Sequence, residues 1–277
     1  MVGILGVVAG LSDVARGADA VKLEPNSTLR FEFPELPDTL ETMKSGKKEP
    51  ARLTARLPAN YSRDGKFPLC VFLNGGSGGR GDSLQFDHRV IGSNDFICVA
   101  LPLFKGAPLD TNSSISMPDF PTISRAYQAM LGKLLEAVPN TTAERSALGG
   151  FSNGAHTTAV LLAGQDEFIL RHFRAFYFIE GGFGLLAANF LDSRAMKPYR
   201  FLLLRGDRQP DEPKNVAHFY ALEHLGQSLV YTAQKQDLDF TLVVMRGLGH
   251  ELRQPYDTLI GSWLRGEKLP GIEKSKP

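Results

Sequence analysis

The chain has 277 residues, 43% of them hydrophobic, with 31 basic against 30 acidic side chains and a formal net charge of +1. That balance speaks against nucleic acid or an anionic membrane surface as the main partner. The length suffices for one large domain with a buried core.

From the N-terminus, Met1–Ala20 holds an apolar run from Val2 to Leu11 and then a more polar stretch ending Ala18-Asp19-Ala20, the A-x-A pattern of a cleavage site. Residues 1–20 therefore read as a signal peptide and residues 21–277 as a single mature domain, secreted or periplasmic. The apolar run is too short to span a bilayer and nothing later is apolar enough, so no membrane span is expected. Thr28–Phe33 and Ala51–Ala59 alternate like an antiparallel pair at a sheet edge. Strands near 68–74, 96–102, 145–149, 173–180, 200–205 and 239–245 then alternate with helical segments near 122–138, 153–164, 213–229 and 255–265. This is the α/β pattern of a doubly wound, mostly parallel sheet of about eight strands flanked by helices. The connection between the strands near 173–180 and 200–205 is too short for a large lid. Thr111–Phe120 is a candidate loop over the site, and the apolar positions of Phe183–Phe190 are candidates for core packing or for lining a pocket. Cys70 and Cys98 fall inside predicted buried strands and read as reduced packing residues rather than a disulfide.

The chemistry is concentrated at Gly150-Phe151-Ser152-Asn153-Gly154, a G-x-S-x-G with an apolar run before it and a helical composition after it. Strand, sharp turn and helix form a nucleophile elbow, in which small residues at 150 and 154 let the two backbones approach while the serine hydroxyl projects from the sheet. A serine hydroxyl needs a base to become a nucleophile at neutral pH. His250 follows the last predicted strand and the turn Arg246–Gly249, and an imidazole titrating near neutrality can take the serine's proton and return it to a leaving group. The order Ser…acid…His fits. His156, His172, His218 and His224 lie in or beside helical segments suited to solvated or edge-of-core roles, and His88 has no assignable role.

These motifs resemble those of the α/β-hydrolases, in particular secreted serine esterases of the polyhydroxybutyrate-depolymerase and feruloyl-esterase type. The resemblance covers nearly everything after residue 27. Phe67–Gly76 resembles the family's apolar strand running into an H-G-G turn, with Asn74 where a histidine is usual. It implies an oxyanion hole made by the N–H groups of Gly76 and Asn153, with Gly75 as the alternative to Gly76. The family's acid follows Gly and two variable residues after the strand near 200–205, and in that frame stands Gln209. Asp207 and Asp211 flank it and are the first candidates for the triad acid. Glu180, closing the strand near 173–180, is the third, since a minority of α/β-hydrolases supply their acid from that strand; a glutamine-assisted dyad is the remaining alternative.

Gly76-Ser-Gly78-Gly-Arg-Gly81 also matches the dinucleotide pattern G-x-G-x-x-G, but the helix and the acidic strand end that such a site needs are missing from the sequence. The expected function is hydrolysis of a carboxylic ester, small or at a polymer end, through an acyl-enzyme on Ser152, with no metal or organic cofactor. A peptidase of the same fold and a non-catalytic binding protein are the alternatives, the second supported by Gln209 and Asn74.

Overall fold

The computed structural model describes residues 23–33, 36, 50–76, 80–82, 84, 89–106, 115–189, 196–209 and 213–269. The expected signal peptide, His88 and Asp211 lie outside these residues.

Short apolar runs form the centre of an eight-stranded sheet in the order β1-β2-β4-β3-β5-β6-β7-β8. β1 (Thr28–Phe33) and β2 (Ala51–Arg56) pair antiparallel, and β2 lies antiparallel on β4 (Ile97–Ala100). From β4 onward, through β3 (Phe67–Leu73), β5 (Thr141–Phe151), β6 (Ala175–Ile179), β7 (Arg200–Gly206) and β8 (Asp239–Met245), every pairing is parallel. Strands with both faces covered read as continuous hydrophobic runs, and β3, β4 and β6 are buried at every residue. Along β3, Leu69, Val71 and Leu73 enter one apolar layer while Cys70 and Phe72 enter the other. The first layer is completed by α1 (Phe120–Ala137), α2 (Asn153–Ala163), α3 (Glu167–His172), α4 (Phe183–Asn189) and α5 (Pro213–Gln236). The second is covered by α6 (Tyr256–Arg265), through Leu259, Ile260, Trp263 and Leu264.

Several elements differ from expectation, and α5 runs to Gln236, past its expected end near 229. β5 begins at Thr141, because its first residues pair with Phe67 and Pro68 before an irregularity shifts the register between Pro68 and Cys70. Ser146 stabilises that irregularity: its hydroxyl donates to the Thr142 carbonyl (2.5 Å) and accepts from the Leu69 N–H (2.7 Å). Residues 167–172 form a helix of their own, capped by Asp166, which accepts from the Ile169 N–H (3.0 Å). The run from Phe183 is also a helix, and Phe183 and Leu186 are buried in the core rather than facing a pocket.

Cys70 and Cys98 stand directly opposite each other in the β3/β4 register, both buried and not joined in a disulfide. Among the described residues, no helix is long and apolar enough to cross a membrane.

Candidate active site

Ser152 sits between β5 and α2 with φ 54° and ψ −115°, a conformation that L residues adopt only under constraint. The constraint is visible on both sides. A Cβ on Gly154 would overlap the Leu73 carbonyl oxygen, so only glycine lets α2 start this close to β3. The Ser152 N–H donates to the Ile179 carbonyl at the end of β6 (2.8 Å), which ties the elbow to the neighbouring strand.

That strand carries the next group. Glu180 follows Ile179 directly, has φ 54°, and is 5% exposed. Its own N–H donates to the Leu204 carbonyl (2.9 Å), and its Oε1 accepts the Gly206 N–H from the end of β7. The other oxygen, Oε2, lies 3.3 Å from His250 Nδ1. On the far side of the ring, His250 Nε2 lies 2.9 Å from Ser152 Oγ. The imidazole therefore bridges a hydroxyl and a buried carboxylate, with its ring packed on Phe151 at a centroid distance of 4.9 Å.

The carboxylate at His250 is thus Glu180, where Asp207 and Asp211 were the first candidates. Asp207 does not face the ring. Its Oδ1 accepts the Gly247 N–H (2.6 Å) and its Oδ2 pairs with Arg246 (3.0 Å). Partial burial raises its pKa, but the Gly247 N–H, the Arg246 guanidinium and the charge of Arg205 outweigh that, and the carboxyl ionises below the usual aspartate range. Gln209, in the family's frame, is exposed. In the sequence Glu180 stands third among the candidate acids; the signal that raises it is a lone carboxylate closing a fully apolar strand and followed by two glycines, where a charge needs a buried partner.

The expected oxyanion residues adjoin the elbow, Asn153 following Ser152 directly. Gly75 packs against Phe151 and Ser152, and the Gly76 carbonyl accepts from Asn153 Nδ2 (3.3 Å). Asn153 opens α2, where first-turn N–H groups and the helix dipole favour negative charge. A cleft of about 300 Å³ begins here, lined by Phe72, Asn74, Gly75, Phe151, His250, Glu251 and Leu252. Its walls are mainly apolar, and Glu251 is engaged by Arg208 (3.1 Å) and Arg253 (2.6 Å).

The other described histidine rings are occupied elsewhere or open to solvent. Burial lowers the pKa of His156, opposed by a hydrogen bond to the Ile115 backbone, and His172 Nδ1 meets the Phe168 carbonyl (2.9 Å). His224 is exposed. Among the described residues, no cluster of three or more His, Cys, Asp or Glu side chains could hold a metal ion.

No protein-family model matches the chain, and no curated protein matches it in sequence. Solved structures do match. The feruloyl esterase module of Clostridium thermocellum, in complex with sinapinate, is 11% identical, with a TM-score of 0.52 over 82% of each chain. An S-formylglutathione hydrolase from Agrobacterium tumefaciens is 12% identical, with a TM-score of 0.51 over 88% of this chain and 94% of that one. The fold is that of the α/β-hydrolases.

Proposed function

We propose that the protein is a serine hydrolase acting on carboxylic esters through an acyl-enzyme on Ser152, with His250 as general base and acid and Glu180 as the triad carboxylate. The observation that carries this reading is the continuous relay from Ser152 Oγ through both nitrogens of His250 to Glu180 Oε2. Ser152 Oγ attacks the ester carbonyl as its proton passes to His250 Nε2, and the C–O double bond opens to an oxyanion. The N–H groups of Asn153 and of the Gly75–Gly76 turn are the donors for that oxyanion. Collapse of the intermediate breaks the ester C–O bond; His250 returns the proton to the departing alcohol, and the acyl group remains on Ser152. Water then attacks the acyl-enzyme with His250 again taking the proton; collapse breaks the bond between the acyl carbon and Ser152 Oγ, His250 returns the proton to that oxygen, and the acid product leaves. Glu180 stabilises the imidazolium at each stage and fixes the tautomer in which Nδ1 carries hydrogen.

The cleft supports a short or flat apolar group beside the serine, because Phe72, Phe151 and Leu252 form its walls. Gln209 no longer argues for a non-catalytic relative, since in this reading Glu180 takes the acid's place. Feruloyl esters and other short acyl esters are the substrates to try, by analogy with the first structural neighbour. A fluorophosphonate should label Ser152 covalently, and Ser152→Ala should lose both labelling and hydrolysis of p-nitrophenyl acetate and butyrate. No labelling of the folded wild type, or turnover surviving in Ser152→Ala, rejects the assignment.

A further inference from the structure

The stretch from Arg246 to His250 is neither helix nor strand, yet it must deliver the imidazole to two partners at once. The His250 side chain is 47% exposed, so packing alone does not fix it. What fixes its backbone comes largely from the segment following β7. The Asp207 N–H donates to the Met245 carbonyl (3.2 Å) and the Arg208 N–H to the Leu248 carbonyl (2.9 Å). In return, the Asp207 carboxylate accepts the Gly247 N–H at the tip of the turn (2.6 Å) and pairs with Arg246 (3.0 Å). Gly247 has φ +73°, so the turn is held in a left-handed conformation at the residue whose N–H the carboxylate takes.

We propose that Asp207 is a positioning residue for His250: its carboxylate clamps the Arg246–Gly247 turn so that the ring reaches Ser152 and Glu180 together. This rests on the hydrolase reading above for its catalytic consequence, but the clamp itself is a property of the loop. A charge-assisted bond to a backbone N–H is among the stronger ones, and it acts three residues before the imidazole, where a small rotation becomes a displacement of the ring. The bonds that Asp207 makes are to Met245, Arg246 and Gly247, and in this proposal it moves no proton.

The test compares Asp207→Ala, Asp207→Asn and Glu180→Gln in the full chain, reading steady-state kinetics on p-nitrophenyl butyrate and amide hydrogen exchange across residues 246–250. Asp207→Ala removes the acceptor; kcat should fall about 10- to 100-fold with KM nearly unchanged, the size expected from a misplacement of about an ångström. Exchange of the Gly247 amide should rise by at least about tenfold, with exchange in the sheet unchanged. Asp207→Asn keeps a carbonyl for the Gly247 N–H and should restore most of the activity and the protection. Glu180→Gln should lose activity without changing exchange in the turn. If Asp207→Asn is as inactive as Glu180→Gln while its turn stays protected, Asp207 belongs to the proton relay and the proposal is overturned. If Asp207→Ala leaves exchange at Gly247 unchanged, there is no clamp and the proposal likewise fails. Should the wild type hydrolyse no ester and take no fluorophosphonate, the hydrolase reading falls while the exchange measurements still decide whether the clamp exists.

Discussion

The segments that follow β6 and β7 lie side by side at the carboxyl edge of the sheet, and each offers a carboxylate to the histidine loop. They differ in depth and in reach. The last β6/β7 pair is Ile179 with Leu204, so Glu180 leaves the sheet at the level of the elbow, 5% exposed and facing the ring. β7 continues two residues further, pairing Arg205 with Val244 and Gly206 with Met245, so the next carboxylate emerges beside the turn after β8 instead of beside the imidazole. Asp207 is also more open, at 24% side-chain exposure, and already shared with Arg246. Two carboxylates within a few residues' reach of one loop are thus sorted into different tasks by where each strand ends. In the proposed reading, depth suits Glu180 to stabilising a cation without competition from water.

The comparison breaks most sharply at Glu180. Glu180→Gln should lower kcat on short esters by about 10³- to 10⁴-fold, because an amide cannot stabilise the imidazolium and can select the wrong tautomer. A loss of less than tenfold would mean that the two carboxylates have not divided the work as described. Gly206 is the joint between the two segments: its N–H serves Glu180, and a Cβ there would overlap the Leu248 carbonyl oxygen on the histidine loop. Gly206→Ala should therefore destabilise the fold by about 1–3 kcal/mol through overpacking against backbone. It should also slow turnover, since the loop that must shift carries His250. Urea unfolding alongside kinetics measures both, and a variant unchanged in either would show that the joint is slack.

The smallest effect is electrostatic. Because the Asp207 carboxyl ionises below its unfolded value of about 3.9, its charged form favours the folded state. That contribution is fully present above the unfolded pKa and is lost as pH falls through the lower folded pKa. The stability difference between wild type and Asp207→Asn should accordingly be level from pH 7 down to about 5 and shrink toward pH 2. A difference that ignores pH would leave the clamp without its charge. Exposure keeps this term small beside the other two.

Much of this was legible in the chain. The alternation of apolar runs and helical segments gives the doubly wound sheet, and Gly150–Gly154 marks the elbow because only small residues permit its close backbone approach. His250 is identifiable from its place after the last strand. The acid was not, for a physical reason: Gln209, Asp207 and Asp211 are ranked by distance along the chain, whereas reach to Nδ1 depends on how far β7 runs relative to β6. That offset is set by pairing in the sheet, with β8 extending β7 to Gly206, and no local pattern around residue 207 encodes it. The helix at 167–172 escaped notice for a different reason, its six residues being too few to show a period.

The opposed thiols of Cys70 and Cys98 have a use that is independent of the chemistry at Ser152. They lie at the middle of the sheet with 1% and 3% of their surface accessible, so a thiol reagent can reach them only when β3 and β4 part from their covering layers. The rate of modification in native buffer is therefore a built-in clock for opening of the central sheet, readable without any engineered cysteine.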